Sequence, residues 1–309
     1  MKSKEVMPKP FRKNMIPFII GMLFIPVVWF IIFYLIVNIN SILMAFKYIK
    51  GVDDNGRLIY AWGLENYKNM FKAFTSVGYS ELRVSLINTL KYFFLNFLII
   101  IPLTYFVAYF LYKKVWGYKF FRVLFYLPSI ISGVAMVIIF KNMITTYGPI
   151  YTLLKNLFNY EMPPLLTNAK YATNTIMVYC VWVGFGVNTV LYQGAMGRIP
   201  TEVIEAGKIE GITWWQELFY VVTPMVWPTL STTLILAITQ LFNTSGPILL
   251  FDTGGAFETS TIAYWIFKNV DSGVYEYPAS VGFFFTLVSI PIVFLFRWLI
   301  NKIDPDVEY

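Results

Sequence analysis

The chain contains no histidine, and Cys180 is its single cysteine. The first absence removes histidine-based zinc sites, haem ligation through histidine, and Ser-His or Cys-His catalysis. The second excludes an internal disulfide, and Cys180 stands inside an apolar run, where it reads as a small buried hydrophobe. Neither GxxxxGK[ST] nor GxGxxG occurs, so the chain binds no nucleotide through those motifs. These absences argue against an enzyme. Charge is scarce too, at 13% of 309 residues, whereas a soluble domain carries about a quarter to keep its surface in water.

What is present is apolar: 58% hydrophobic residues, 19% aromatic, and a mean hydropathy of +0.62. An outer surface so poor in charge implies a lipid bilayer around it, with Trp and Tyr at headgroup level. The net charge of +7 is spread in short clusters between apolar runs, which reads as topology signals and excludes a nucleic-acid face. Six charge-free stretches are long enough to cross a bilayer: Met15–Phe46, Tyr92–Tyr112, Val123–Phe140, Tyr171–Gly197, Leu218–Phe251 and Tyr277–Phe296. The fold class expected is all-α integral membrane with six spans. The first stretch exceeds one span, which predicts tilt or an end running into the interface, and it is too long for a cleaved signal peptide. Pro224, Pro228 and Pro247 interrupt the fifth, so its helix is expected near Trp227–Asn243, with Pro247 opening the next loop.

Lys2, Lys4, Lys9, Arg12 and Lys13 precede the first stretch, which places the N-terminus in the cytoplasm; six spans return the C-terminus to the same side. Residues 1–14 and 301–309 then form cytoplasmic tails around a permeating domain of residues 15–300. In the first outer loop, Leu64–Phe74 and Ser80–Lys91 carry apolar residues at helical spacing and are expected as amphipathic helices lying on the outer leaflet.

Between the fourth and fifth stretches charge returns abruptly, in IPTEVIEAGKIEGITWWQELFYVVTP, residues 199–224. Pro200 and Thr201 start a short helix, with Thr201 expected to cap it and Glu202 favourable at its positive end. Gly211 permits a turn, and a Trp-rich amphipathic helix runs on to Pro224. A helix–glycine–helix element at the inner membrane face suits docking into a groove on another protein.

This segment resembles the EAA loop of ABC importer permeases, which has Glu-Ala-Ala, a Gly four residues on and a Pro thirteen beyond that. Glu205, Ala206, Gly207, Gly211 and Pro224 stand at those positions, with Gly207 in place of the second Ala and Thr223 in place of the usual Leu. RVLFYLPSIISGVAMVIIFKNM (122–143), GLENYKNMF (63–71) and INTLKYFF (87–94) are similar to carbohydrate-importer permeases. FDTGGAFETST (251–261) resembles the Thr-Gly-Gly-Gly-Pro segment of the larger maltose-permease type and its glycerol-phosphate relatives, with Ala256 and Phe257 replacing Gly-Pro. The ending NKIDPDVEY lacks the glycine-rich tail of the companion type.

The resemblance implies a type I ABC importer permease fold in a prokaryotic cell membrane, with the chain forming half of a path for sugars or oligosaccharides. It implies a second permease subunit in a heterodimer, two ATPase subunits that bind ATP and Mg, and an extracytoplasmic substrate-binding protein; the chain itself binds no cofactor. Glu205 is the expected ionic contact to an ATPase and Gly211 the hinge-like turn. Asn243 follows Phe242 where maltose permeases carry a Phe-Asn pair near the sugar, and Trp182 stands where a related permease offers an aromatic ring. Gln240, Asn188 and Ser129 also interrupt apolar runs; such groups either bridge helices or face a path. Tyr275 and Tyr277 read as belt aromatics. An importer for glycerol phosphate esters is the near alternative. A channel or secondary transporter is the distant one, weakened because the six stretches hold no charged residue that could couple to an ion.

Overall fold

The computed structural model describes residues 16–244, 246–251 and 256–303. The N-terminal basic cluster, both chain ends and residues 252–255 of the FDTGG segment lie outside the described residues. Among those described, six helices are long and apolar enough to cross a membrane: Pro17–Met44, Glu81–Tyr112, Gly133–Phe158, Ala169–Met196, Trp214–Thr239 and Glu276–Lys302. At 1.5 Å per residue the 28-residue first helix is about 42 Å long, beyond the roughly 30 Å of a bilayer core.

The boundaries depart from expectation in three places, each with a local cause. The fifth helix does not break at Pro224. It runs from Trp214 to Thr239 because a π-helical turn, Glu217–Val222, precedes the proline, and the N–H of Thr223 reaches Leu218 five residues back. The wider turn accommodates a ring that would collide with the carbonyl four residues before it. Pro102 follows the π-turn Leu95–Ile100 in the same way. Pro247 falls within a short helix, Gly246–Phe251, and does not open a loop. The third expected stretch, 123–140, is cut: Tyr118–Ile130 ends at extended Ile131 and Ser132 before the next helix starts at Gly133. Pro128, which lacks an N–H, lies in the last turn before the cut.

Leu64–Phe74 and Ser80–Lys91 do not form a matched pair of surface helices. Glu65–Thr75 is a separate helix, but its buried Met70 packs in one cluster with Leu82, Trp265, Val281 and Phe285. Ser80 caps the second long helix, whose first turns bury Leu82, Ser85, Asn88 and Thr89 inside the protein. Before them an unexpected antiparallel hairpin pairs Lys47–Val52 with Leu58–Trp62. Its tip, Asp53 to Arg57, closes with Gly56 at φ 76°, a turn signal visible in the sequence.

The long helices also extend beyond the charge-free stretches and take in Glu81, Lys91, Lys141, Lys155, Glu217 and Arg297. Glu217 is the one buried charged side chain among the described residues.

Candidate functional site

The segment between the fourth and fifth long helices forms the helix–glycine–helix element expected. Thr201–Ile209 is a helix with Ile204 and Gly207 buried and Glu202, Glu205 and Ala206 exposed. Thr201 does not cap it but is its first residue, because the cap position falls on Pro200, whose side chain has no hydrogen-bonding atom. It ends in a Schellman motif: the N–H of Ile212 bonds the Gly207 carbonyl at 3.2 Å, and that of Gly211 bonds Lys208 at 3.1 Å. Gly211 has φ 75°, a conformation costly for any residue with a Cβ. Gly207, the departure from Ala, is filled by Ile212, whose Cδ1 would lie 2.6 Å from an added Cβ. Thr213 and Gln216 then form a capping box that starts the fifth long helix. Pro224 sits at the second position of Thr223–Thr239.

This element is seated on a buried cluster. Ile204, Leu218 and Val222 pack with Tyr105 and Tyr109 of the second long helix and Tyr192 and Met196 of the fourth. The hydroxyl of Thr223, the departure from Leu, donates to the Leu218 carbonyl at 2.7 Å, so the 2.9 Å bond between its oxygen and Tyr105 has the tyrosine as donor. By the same logic Tyr192 donates to Thr233 at 2.7 Å. Glu217, one of the charges in residues 199–224, receives Lys113 Nζ at 2.6 and 2.8 Å and the Tyr109 hydroxyl at 3.2 Å.

Towards the opposite end of the same helices lies a cavity of about 420 Å³, lined by Asn188 and Gln240 together with Asn96, Thr244, Cys180 and Tyr92. Gly184 lets the fourth helix approach the second, since an added Cβ would come within 2.8 Å of Ile100 Cγ2. The Tyr92 hydroxyl is buried with no hydrogen-bond partner among the described residues.

The other candidates lie elsewhere. Asn243 is exposed in the turn after the fifth helix and lines a separate cavity of about 370 Å³ with Thr239, Thr286 and Ser289. Trp182 packs against Phe140 and Tyr179 at ring distances of 6.1 and 6.5 Å. Ser129 bonds the Tyr126 carbonyl at 2.8 Å and lies against Gly186. Tyr277 meets Trp265 edge-on at 5.5 Å, and Tyr275 is exposed.

Asn96 was missed although it interrupts an apolar stretch just as Asn188 does, so the signal was present. The residues after the FDTGG segment were legible only as a resemblance. They are strapped inward, with the Glu258 carbonyl accepting from Asn88 at 2.6 Å and Thr173 at 3.0 Å, and with Ile262 N–H bonding Thr89 at 2.9 Å. Phe257 and Glu258 take up left-handed conformations, at φ 55° and 59°.

Residues 100–309 match the family described as binding-protein-dependent transport system inner membrane component. The lactose transport system permease protein of Rhizobium radiobacter is 30% identical over 189 residues, 57% of this chain and 61% of that one. The galactooligosaccharides transport system permease protein of Bacillus subtilis is 25% identical over 58% of this chain and 44% of its own length. The match thus spans about half the length of these relatives. A bacterial ABC transporter crystallised with an alginate-pentasaccharide-bound periplasmic protein has the same fold, with a TM-score of 0.80 at 19% identity over 96% of this chain and 99% of that one. With six long apolar helices and a family match across some two thirds of its length, the chain belongs to the inner membrane components of binding-protein-dependent transport systems.

Proposed function

We propose that the chain forms half of the solute path of an ATP-driven importer for sugars or oligosaccharides and receives its drive through residues 199–224. The observation that carries this reading is the form of the Thr201–Ile209 helix. It is fixed from below by Ile204 and Gly207 yet turns Glu205 and an 87%-exposed Ile209 outward. Glu205 makes no ion pair among the described residues. A rigid ridge with an apolar tip and an unpaired carboxylate has the character of a plug for a basic-lined groove, here that of an ATPase subunit.

Surfaces left open support the rest of the assembly. The apolar window of the first helix is 0% buried within this chain, against 44% for the second; lipid and a second permease, in a heterodimer, are its expected cover. Asn188, Gln240 and Asn96 around the cavity offer donors and acceptors suited to sugar hydroxyls, and the relatives named above are permeases for lactose and galactooligosaccharides. A separate binding protein would deliver the solute, and ATP with Mg would act in the ATPases alone. Nucleotide-driven closure would then tip the helices between inward- and outward-facing packings.

The test is affinity purification in mild detergent with mass spectrometry of what accompanies the chain. A second six-span permease with an ATPase is the expected result; a homo-oligomer without ATPase would favour a channel or secondary transporter. Glu205→Lys and Gly211→Pro should abolish uptake while the protein stays in the membrane, and normal uptake by both would sink the assigned role.

A further inference from the structure

Two soft points lie between the exposed helix Thr201–Ile209 and the membrane part of the fifth long helix: the left-handed turn at Gly211 and the π-turn Glu217–Val222. A push on the exposed helix that travelled only along the chain would cross both. The structure holds a connection that leaves the chain at the start of the second, before the π-turn is crossed. Glu217, 4% exposed, is gripped through both carboxylate oxygens by Lys113, the residue that closes the second long helix. Tyr109, one turn earlier, donates to the same carboxylate or to the Trp214 carbonyl, at 3.2 and 3.3 Å. Rings reinforce the contact, with Phe110 5.5 Å from Trp214 and Phe106 5.4 Å from Trp215.

We infer that Lys113 and Glu217 form a clamp that makes the Trp-rich part of the coupling segment and the second long helix move as one body, so that drive enters the second helix directly. The inference rests on the coupling role proposed above. The second helix is the one that brings Tyr92, Asn96 and Ile100 to the cavity. Asn96 lies 17 positions before Lys113, about 25 Å along a helix. A buried carboxylate held by a two-oxygen ion pair and a phenol has few alternative arrangements, which is what a transmitting joint requires. Glu217 and Lys113 are positioning residues here: neither lines the solute cavity.

The test uses the chain assembled with the ATPases that co-purify with it, in lipid nanodiscs. Spin labels on cysteines introduced at Trp116 and the 79%-exposed Tyr220 report the distance from the end of the second helix to the Trp-rich part of the coupling segment, with ADP and with ATP bound. The native pair should give one distribution, unchanged between nucleotides. Glu217→Gln should broaden it and make it shift with nucleotide while the ATPases remain bound, and the exchange Lys113→Glu with Glu217→Lys should restore the single distribution. A Glu217→Gln complex that matches the wild type in both states overturns the clamp and leaves the coupling role standing; absence of any ATPase from the wild-type preparation overturns both. Where the single variant does not assemble, Lys113→Met with Glu217→Gln, which leaves no charge unpaired, is measured in its place. A double variant that behaves as wild type, or that also fails to assemble, assigns the pair to folding alone and overturns the clamp.

Discussion

The two ends of the second, fourth and fifth long helices are built differently. At the end that carries residues 199–224, Tyr105, Tyr109 and Tyr192 are buried and each hydroxyl has a partner: Thr223, Glu217 or the Trp214 carbonyl, and Thr233. At the cavity end the same helices leave about 420 Å³ open, and the buried Tyr92 hydroxyl has no protein partner among the described residues. Close packing transmits displacement, because an interior of crystal-like density shifts as a unit, whereas an open polar space leaves room for groups to rearrange. One set of helices thus combines a stiff base with a yielding middle. The first helix shares neither property, having no buried residue in its apolar window.

The sharpest way to break this contrast is at the base. Lys113→Met leaves Glu217 buried with only the tyrosine for company, and removing one partner of a buried pair costs about 3–5 kcal/mol. The purified complex should melt well below the wild type. Replacing the cavity residue Gln240 by Leu should barely move the melting temperature while lowering solute binding. Next in size is Gly211→Ala. Nothing lies within 4 Å of the position, so the expected loss of about 1–2 kcal/mol comes from backbone conformation alone. It should appear as faster hydrogen exchange confined to residues 201–216.

The two ends also differed in how far they could be read from the sequence. The helix–glycine–helix form of residues 199–224 was legible because its determinants are local: a helix start at Pro200 and a glycine ten residues after Thr201 lie within one short segment. The number of membrane helices was legible too, since apolar length alone sets it. Their breaks were not. Pro224 carries a break signal that the π-turn cancels, while the cut at Ile131 and Ser132 falls inside a stretch with no charge to mark it. Lys113 and Glu217 are 104 positions apart, and nothing at either position names the other. Of the polar and aromatic residues singled out within the stretches, Asn188 and Gln240 meet at one cavity, whereas Asn243 lines another and Trp182 packs among rings, placements that pattern alone does not encode.

A pair of tyrosines sharpens the contrast at lower energy. Tyr105→Phe removes the donor that meets Thr223, and losing one such bond costs about 1 kcal/mol. Tyr92→Phe removes a hydroxyl that bonds no protein group among the described residues, so stability should stay within about 0.5 kcal/mol. Denaturation of the two variants side by side decides the matter: equal losses would mean that the cavity end is as tightly bonded as the base.

The smallest effect expected lies within the base, at Gly207. Alanine there adds about 1 kcal/mol of helix propensity, and it restores the residue usual in the EAA pattern. Against that gain stands the Ile212 side chain, whose Cδ1 would meet the new Cβ at 2.6 Å and whose Cγ1 would meet it at 3.3 Å. Cδ1 is the free end of a flexible chain and can rotate away; Cγ1 needs to yield only a few tenths of an ångström. Ile212 is also the residue whose N–H closes the Schellman motif on the Gly207 carbonyl, so it cannot withdraw far without opening the turn at Gly211. The two terms are similar in size, and Gly207→Ala should change the melting temperature little in either direction. The double variant Gly207→Ala with Ile212→Val, which removes the clashing carbon, should then be more stable than either single variant. A double variant less stable than both would show that Ile212 is held by its packing on the base and not by the space that Gly207 leaves for it.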